Sequence, residues 1–285
     1  MTKHLLVFGP GYTALPIMAR AKAEGWLVTA TCRNDKSRIP LEQAGYRSVP
    51  FGAGQLNGDI PVSHILTSIA PLEAGDPVLP LWNRWLKQQT ELCALHYFSS
   101  TNVYGDKQGA WVDETTKPEP TLTRGTRRLE AEIEWQKLAT SMALPCFKYR
   151  LAGIYGPGRN SFTALKAGKA RNIIKPGQVF GRIHRDDIAN TVWAALNSEH
   201  SGGAFNLTDN LPAPPLEVIE AAAMLLGVAA PPAVNLADAG LSEMGKSFYA
   251  ENKRVRNDKI KRELGVELLY PTYKEGLAAL LEEFS

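Results

Sequence analysis

The chain has 285 residues, 44% of them apolar and 21% charged, which is enough apolar material for a well-buried α/β core. A formal net charge of +3 with well-mixed signs is too mild to indicate a nucleic acid or a membrane as partner. No apolar run approaches a membrane span or has the form of a signal peptide, and Cys32, Cys93 and Cys146 lack metal-ligand spacing, so the expectation is a soluble, cytoplasmic protein without a metal site.

Short apolar runs alternate with amphipathic stretches through the first half, the pattern of a parallel sheet with crossover helices. His4 to Phe8 is predicted as the first strand, Ala14 to Glu24 as a helix closed by Gly25, and Trp26 to Cys32 as the second strand. Further strands are predicted at Arg47 to Phe51, His64 to Ile69, Leu95 to Ser99 and Phe147 to Ile154, with helices at Leu79 to Leu92 and Arg127 to Ser141. Beyond Gly158 the chain is broken more often, at Pro176-Gly177, at Ser201-Gly202-Gly203 and in the runs Pro212 to Pro215 and Ala230 to Pro232. Helices at Leu216 to Leu226 and Lys253 to Leu264 suggest a smaller helix-rich unit, while Ile188 to Leu196 is amphipathic and returns to the sheet. The basic cluster Lys253, Arg254, Arg256, Lys259, Lys261 and Arg262 reads as the solvated face of its helix.

Gly9-Pro10-Gly11-Tyr12-Thr13-Ala14 is a G-x-G-x-x-A segment that leaves a predicted strand and opens a predicted helix. Gly9 permits the tight turn, Gly11 lets the backbone approach a pyrophosphate, and Ala14 is small enough for close packing of helix on strand. The free amides at the helix start and the positive end of its dipole attract the phosphates. Gly9, Gly11, Tyr12, Thr13 and Ala14 are therefore the candidate dinucleotide loop. The end of the second strand, where NAD sites place a carboxylate, reads Cys32-Arg33-Asn34. A guanidinium at Arg33 suits the 2′-phosphate of NADP, with NAD as the alternative because Asp35 is close by. The expected fold is α/β, a Rossmann-like doubly wound parallel sheet in residues 1–158, to which 179–208 returns. Residues 159–178 and 209–285 would form a small discontinuous C-terminal substrate domain.

Four further segments accompany the fingerprint: Phe98 to Gly105 (FSSTNVYG), Ile154 to Arg159 (IYGPGR), Arg182 to Ala189 (RIHRDDIA) and Gly203 to Leu207 (GAFNL). Together they resemble the extended short-chain dehydrogenase/reductase family, also called NAD-dependent epimerase/dehydratases, over nearly the whole chain. The resemblance implies a Ser/Thr that hydrogen-bonds the substrate oxygen, a tyrosine that acts as acid or base, and a lysine that holds the nicotinamide ribose. Ser100 falls on the Ser/Thr position, with Thr101 beside it. The family's dehydratases carry an acidic pair after that residue, and Thr101-Asn102 there speaks against dehydration.

The Tyr-x-x-x-Lys motif is missing. Arg124 stands at the tyrosine position and Arg128 at the lysine position, and no tyrosine lies between Tyr104 and Tyr149. A guanidinium with a pKa above about 12 exchanges no proton near neutrality, although Arg128 can still bind a ribose. Tyr104 becomes the first candidate for the acid or base, and it reads equally as a packing residue. Arg124 and Arg159 are candidate substrate contacts, Arg159 being either a partner of phosphate or carboxylate or a solvated turn residue. His4, His64, His96, His184 and His200 form no metal or triad spacing.

The pattern resembles the atypical members of the family. It implies an NADP-dependent oxidoreductase or epimerase acting on a small polar, sugar-derived molecule. The second reading is a non-catalytic NADP-binding sensor or scaffold. Family members also pair as homodimers through the helices at Leu79 to Leu92 and Arg127 to Ser141, where Trp82, Trp85 and Trp135 mark either an interface or the core.

Overall fold

The structure is a computed structural model that describes residues 3–58 and 61–284. The fingerprint loop joins β1 (His4–Phe8) to α1 (Leu15–Ala23), whose Ile17, Met18 and Ala21 form a buried stripe at helical spacing. β2 (Leu27–Cys32) leads to α2 (Asp35–Gln43), an element the sequence analysis left unassigned. Pro40 inside α2 obscures its helical pattern, while Asn34 and Ser37 form the capping box that starts it. β3 (Arg47–Pro50), β4 (His64–Thr67), α3 (Leu79–Leu86) and β5 (Ala94–Ser100) follow, and a short 3-10 turn, Thr101–Tyr104, closes β5.

After β6 (Trp111–Val112), α4 (Thr123–Ser141) starts one turn earlier than predicted. Its first turn passes so near that 3-10 turn that a Cβ on Gly125 would come within 2.5 Å of the Asn102 carbonyl oxygen. The stretch predicted as one strand from Phe147 to Ile154 is two. β7 (Cys146–Leu151) stays in the main sheet, and β8 (Gly153–Tyr155) leaves it to pair with β10 (Arg182–His184). Between them come α5 (Ser161–Lys166) and β9 (Asn172–Ile174). α6 (Arg185–Leu196) is capped by His184, whose Nδ1 accepts from the Asp186 amide at 3.2 Å, and it packs on α1. β11 (Gly202–Leu207), α7 (Pro215–Leu225), β12 (Ala233–Asn235) and α8 (Glu243–Phe248) lead to β13 (Arg254–Val255), α9 (Asp258–Leu264) and α10 (Tyr273–Leu281).

The main sheet runs β11-β7-β5-β4-β1-β2-β3, and every pair in it is parallel. It is covered on both faces, as a parallel sheet must be. One face carries α1 and α6, the other α3 and α4 with Trp82 and Trp135 fully buried. These two tryptophans are core, and each indole N–H is satisfied, Trp82 by the Phe51 carbonyl and Trp135 by Asp76. A smaller core gathers α5, α7 and α10 around Phe162, Val218 and Leu277. α9 lies against β11 and α6, and its Ile260 joins the main core.

Two sequence expectations change here. The helix predicted over Lys253 to Leu264 is a strand followed by a shorter helix, because β13 pairs in parallel with β6. Lys253 accordingly lies buried at the strand's edge and not on a solvated helix face. No helix among the described residues is long and apolar enough to cross a membrane. Among those residues no group of three or more His, Cys, Asp or Glu could hold a metal ion.

Candidate functional site

The order of the main sheet reverses between β1 and β4, and ligands of open parallel sheets bind beyond the carboxyl ends of the strands at such a point. The Gly9 to Ala14 loop leaves β1 there. Gly9 has φ of 80°, and a Cβ on it would lie 2.7 Å from Ile69 just past β4. Ser68 Oγ donates to the Gly9 carbonyl and ties the two strand ends together. Gly11 differs, since a Cβ there would meet nothing nearer than the Gly9 oxygen at 3.9 Å. Its smallness keeps the outer side of the loop open.

The amides of Ala14 and Leu15 donate to the Gly11 carbonyl at 3.0 Å, whereas those of Tyr12 and Thr13 have no acceptor among the described residues. The first turn of α1 contains Pro16 and no acidic residue. Free amides, an open Gly11 and an uncompensated helix start fit a dinucleotide pyrophosphate.

At the end of β2, Arg33 is exposed and its guanidinium contacts no described acceptor. Asp35 is occupied, its carboxylate 3.0 Å from Arg38 Nε. The Tyr12 ring lies beside two guanidinium groups, Arg185 at 5.0 Å and Arg159 at 5.9 Å from its centroid. Arg159 thus belongs beside the fingerprint loop and a smaller side cavity, not with Ser100, where its expected substrate role would have put it.

Ser100 ends β5 and opens onto a cavity of about 600 Å³, shared with Thr101, Asn102 and Arg124. Its Oγ accepts from the Asn102 amide at 3.2 Å, which leaves the hydroxyl hydrogen for a ligand. Five cationic side chains line the same cavity: Arg124, Lys169, Arg171, Arg182 and Lys253. Glu251 is the one carboxylate among the lining residues. Arg124 donates to Ser247 Oγ at 2.7 Å and to the Ser247 carbonyl at 3.0 Å, and its guanidinium lies 4.3 Å from the Phe248 ring. It thereby fixes α8 over the cavity. Buried beside the wall, Asp209 is pushed up to about 7 by its loss of solvent.

Two expected catalytic residues lie outside this cavity. Tyr104 is fully buried, and its hydroxyl donates to Asn206 at 2.7 Å and accepts from Arg150 at 3.0 Å. Burial raises its pKa, and it works as packing and as a network member. Arg128, one helical turn past Arg124, donates through Nη1 to the Phe98 carbonyl at 2.7 Å and to Tyr97 at 3.2 Å. That places it between the ends of β4 and β5, on the crevice side, with Nε and Nη2 uncommitted. It is not among the residues that line the Ser100 cavity.

Several known proteins share this architecture. A functionally unknown conserved protein of Silicibacter pomeroyi DSS is 44% identical, with full coverage of both chains and a TM-score of 0.90. A putative NAD-dependent epimerase/dehydratase from Methylobacillus flagellatus is 25% identical with a TM-score of 0.74, covering 99% of this chain and 98% of that one. The chain has the extended short-chain dehydrogenase/reductase fold. Among curated proteins, Protein YeeZ of Escherichia coli K12 is 25% identical over 94% of this chain and 97% of its own. A UDP-glucuronic acid 4-epimerase of Bacillus cereus, solved in complex with UDP-glucuronic acid and NAD, has a TM-score of 0.73 and covers 99% of this chain and all of its own. At 17% identity it shares the fold alone. No family model matches the sequence.

Sequence reasoning missed the far wall of the cavity. Lys169, Arg171, Glu251 and Lys253 come from segments remote from every motif. One local signal was present. Arg254-Val255-Arg256 alternates as a strand does, and Asn257-Asp258 then opens the helix, which together would have detached Lys253 from it.

Proposed function

We propose that the chain binds NADP(H) in the crevice between β1 and β4. In this reading it carries out oxidation, reduction or epimerisation of a small, anionic, sugar-derived molecule in the Ser100 cavity. The observation that carries the reading is the cavity itself, with Ser100, five cations and one carboxylate in its walls. The amides of Tyr12 and Thr13 would hold the pyrophosphate, and Arg33 the 2′-phosphate. Arg128 would use its uncommitted nitrogens on a ribose. The preference for NADP over NAD rests on the exposed, unpartnered Arg33 guanidinium at the end of β2, while Asp35 turns one carboxylate oxygen towards Arg38. When bound, the dinucleotide supplies or accepts a hydride.

Ser100 would donate its free hydrogen to the substrate oxygen and stabilise charge developing there. Arg124 contributes positive charge and holds α8 without transferring a proton. Ser100→Ala is expected to lower kcat about 100-fold while NADPH affinity stays unchanged, measured as NADPH oxidation with carbonyl compounds and nucleoside-diphosphate sugars. Unchanged turnover in that variant would remove Ser100 from the chemistry. The non-catalytic sensor has one observation in its favour, the engagement of Arg124 by Ser247 at the position a tyrosine would hold. A wild-type protein that binds NADPH and turns over no member of that panel would select it.

A further inference from the structure

The reading of the Ser100 cavity as a substrate site leaves the acid and base unassigned, since Arg124 exchanges no proton near neutrality and Tyr104 lies elsewhere. Resting on that reading, we infer that Lys253 is the catalytic proton donor and acceptor of this cavity, held in place by Glu251 and the Gly105 carbonyl.

Lys253 lines the cavity together with Ser100, yet it is only 9% exposed. Its Nζ donates to the Gly105 carbonyl and to Glu251 Oε2, both at 2.8 Å. An ammonium has three hydrogens, so one remains uncommitted. Gly105 ends the short turn that Ser100 begins, and the lysine is therefore anchored to the segment that carries the serine. Glu251 is braced in turn, its other oxygen accepting from Thr121 Oγ1 at 2.7 Å and its carbonyl from Gln178 at 2.9 Å. Such bracing gives the fixed geometry that proton transfer needs.

The other proton-bearing groups in the walls are less suited. Lys169 is exposed and unheld. The Tyr155 hydroxyl is sealed from solvent without a partner. Tyr249 contributes a half-buried ring, and its hydroxyl is held by nothing described. Burial lowers the Lys253 pKa. Glu251 on its own segment and Asp106 beyond Gly105 oppose that shift, and Arg124 on α4 adds to it. The net direction is downward from the usual lysine value, the direction that favours acid–base work near neutrality.

In the reducing direction the carbonyl carbon gains a hydride from the reduced dinucleotide and the π pair passes to the oxygen. That oxygen takes a proton from the Lys253 ammonium, an O–H bond forms, and the neutral amine regains its proton from water. In the oxidising direction the amine accepts the hydroxyl proton.

The test combines NADPH binding, turnover across pH, and NMR of isotope-labelled lysine ammonium groups, which needs no activity. One resonance, absent in Lys253→Met, is expected to titrate below the ordinary ~10.4 and lower still in Glu251→Gln. Lys253→Arg keeps the charge and the Glu251 pair but cannot release a proton, so it separates catalysis from folding. Both Lys253 variants are expected to lose about 100-fold in kcat with NADPH affinity intact. Reduction should slow as pH rises through the lysine's pKa, and Glu251→Gln should move that limb to lower pH because it removes the charge that favours the ammonium. Tyr249→Phe should leave the limb in place. NADPH binding without turnover of any panel member would overturn the substrate-site reading and Lys253 with it. Turnover that survives in Lys253→Arg, or a limb lost in Tyr249→Phe, would overturn Lys253 alone.

Discussion

Gly11→Val is expected to raise the dissociation constant for the dinucleotide by about 100-fold or more, roughly 2.7 kcal/mol, while the melting temperature barely moves. The Gly11 Cβ position is empty of protein to 3.9 Å, so added methyl groups intrude on the ligand's side and not on the core. Gly9→Ala should behave in the opposite way. Its φ of 80° and a contact of 2.7 Å with Ile69 load the strain onto the fold itself. A loss of about 1–3 kcal/mol in stability is expected there. Calorimetric titration alongside thermal melting separates the two effects. Normal dinucleotide affinity in Gly11→Val would mean that this loop does not hold the pyrophosphate.

Glu132→Ala should cost about 3–5 kcal/mol of stability, as much as truncating a large core side chain. Glu132 and Arg150 form a bidentate buried pair, Nε to Oε1 at 3.1 Å and Nη2 to Oε2 at 2.8 Å. Arg150 also reaches Tyr104, which bonds Asn206, whose amide donates to Glu114 at 2.7 Å. The network joins α4, β7 and β11 behind the Ser100 strand. Burial works against the charge on Arg150, yet the hydrogen bonds and charge of Glu132 outweigh it and hold the guanidinium's pKa above its usual value. Removing the carboxylate strands that charge in the interior. Replacing both partners with methionine should recover most of the loss, because the desolvation cost disappears with the pair. Urea unfolding of the single and double variants decides it, and a loss under about 1 kcal/mol for Glu132→Ala would mean that water replaces the carboxylate.

The first βαβ unit was legible because its determinants are local. β1 coincides with its predicted bounds, and α1 begins directly after the G-x-G-x-x-A turn. Elements whose ends depend on distant partners were not. α3 stops at Leu86 although Lys87 to Gln89 are good helix formers, because the chain must turn to bury Leu92 and enter β5. β7 ends at Leu151 because Gly153 turns away to pair with Arg182. The site divides in the same way. The fingerprint and Ser100 are set by short-range sequence, whereas Lys253 joins them only through the pairing of β13 with β6. Tyr104 was the natural guess for an acid because it follows Ser100 closely, but the 3-10 turn after β5 sends its ring into the core.

The most direct measurement is a paired titration of the purified chain with NADPH and NADH, followed by calorimetry or by energy transfer from tryptophan. Tight NADPH and weak NADH binding is expected, with the preference reversed in Arg33→Asp as the guanidinium gives way to a carboxylate that repels the 2′-phosphate and accepts ribose hydroxyls. Binding of neither dinucleotide by the wild-type chain would contradict the assignment of the crevice between β1 and β4 as a cofactor site.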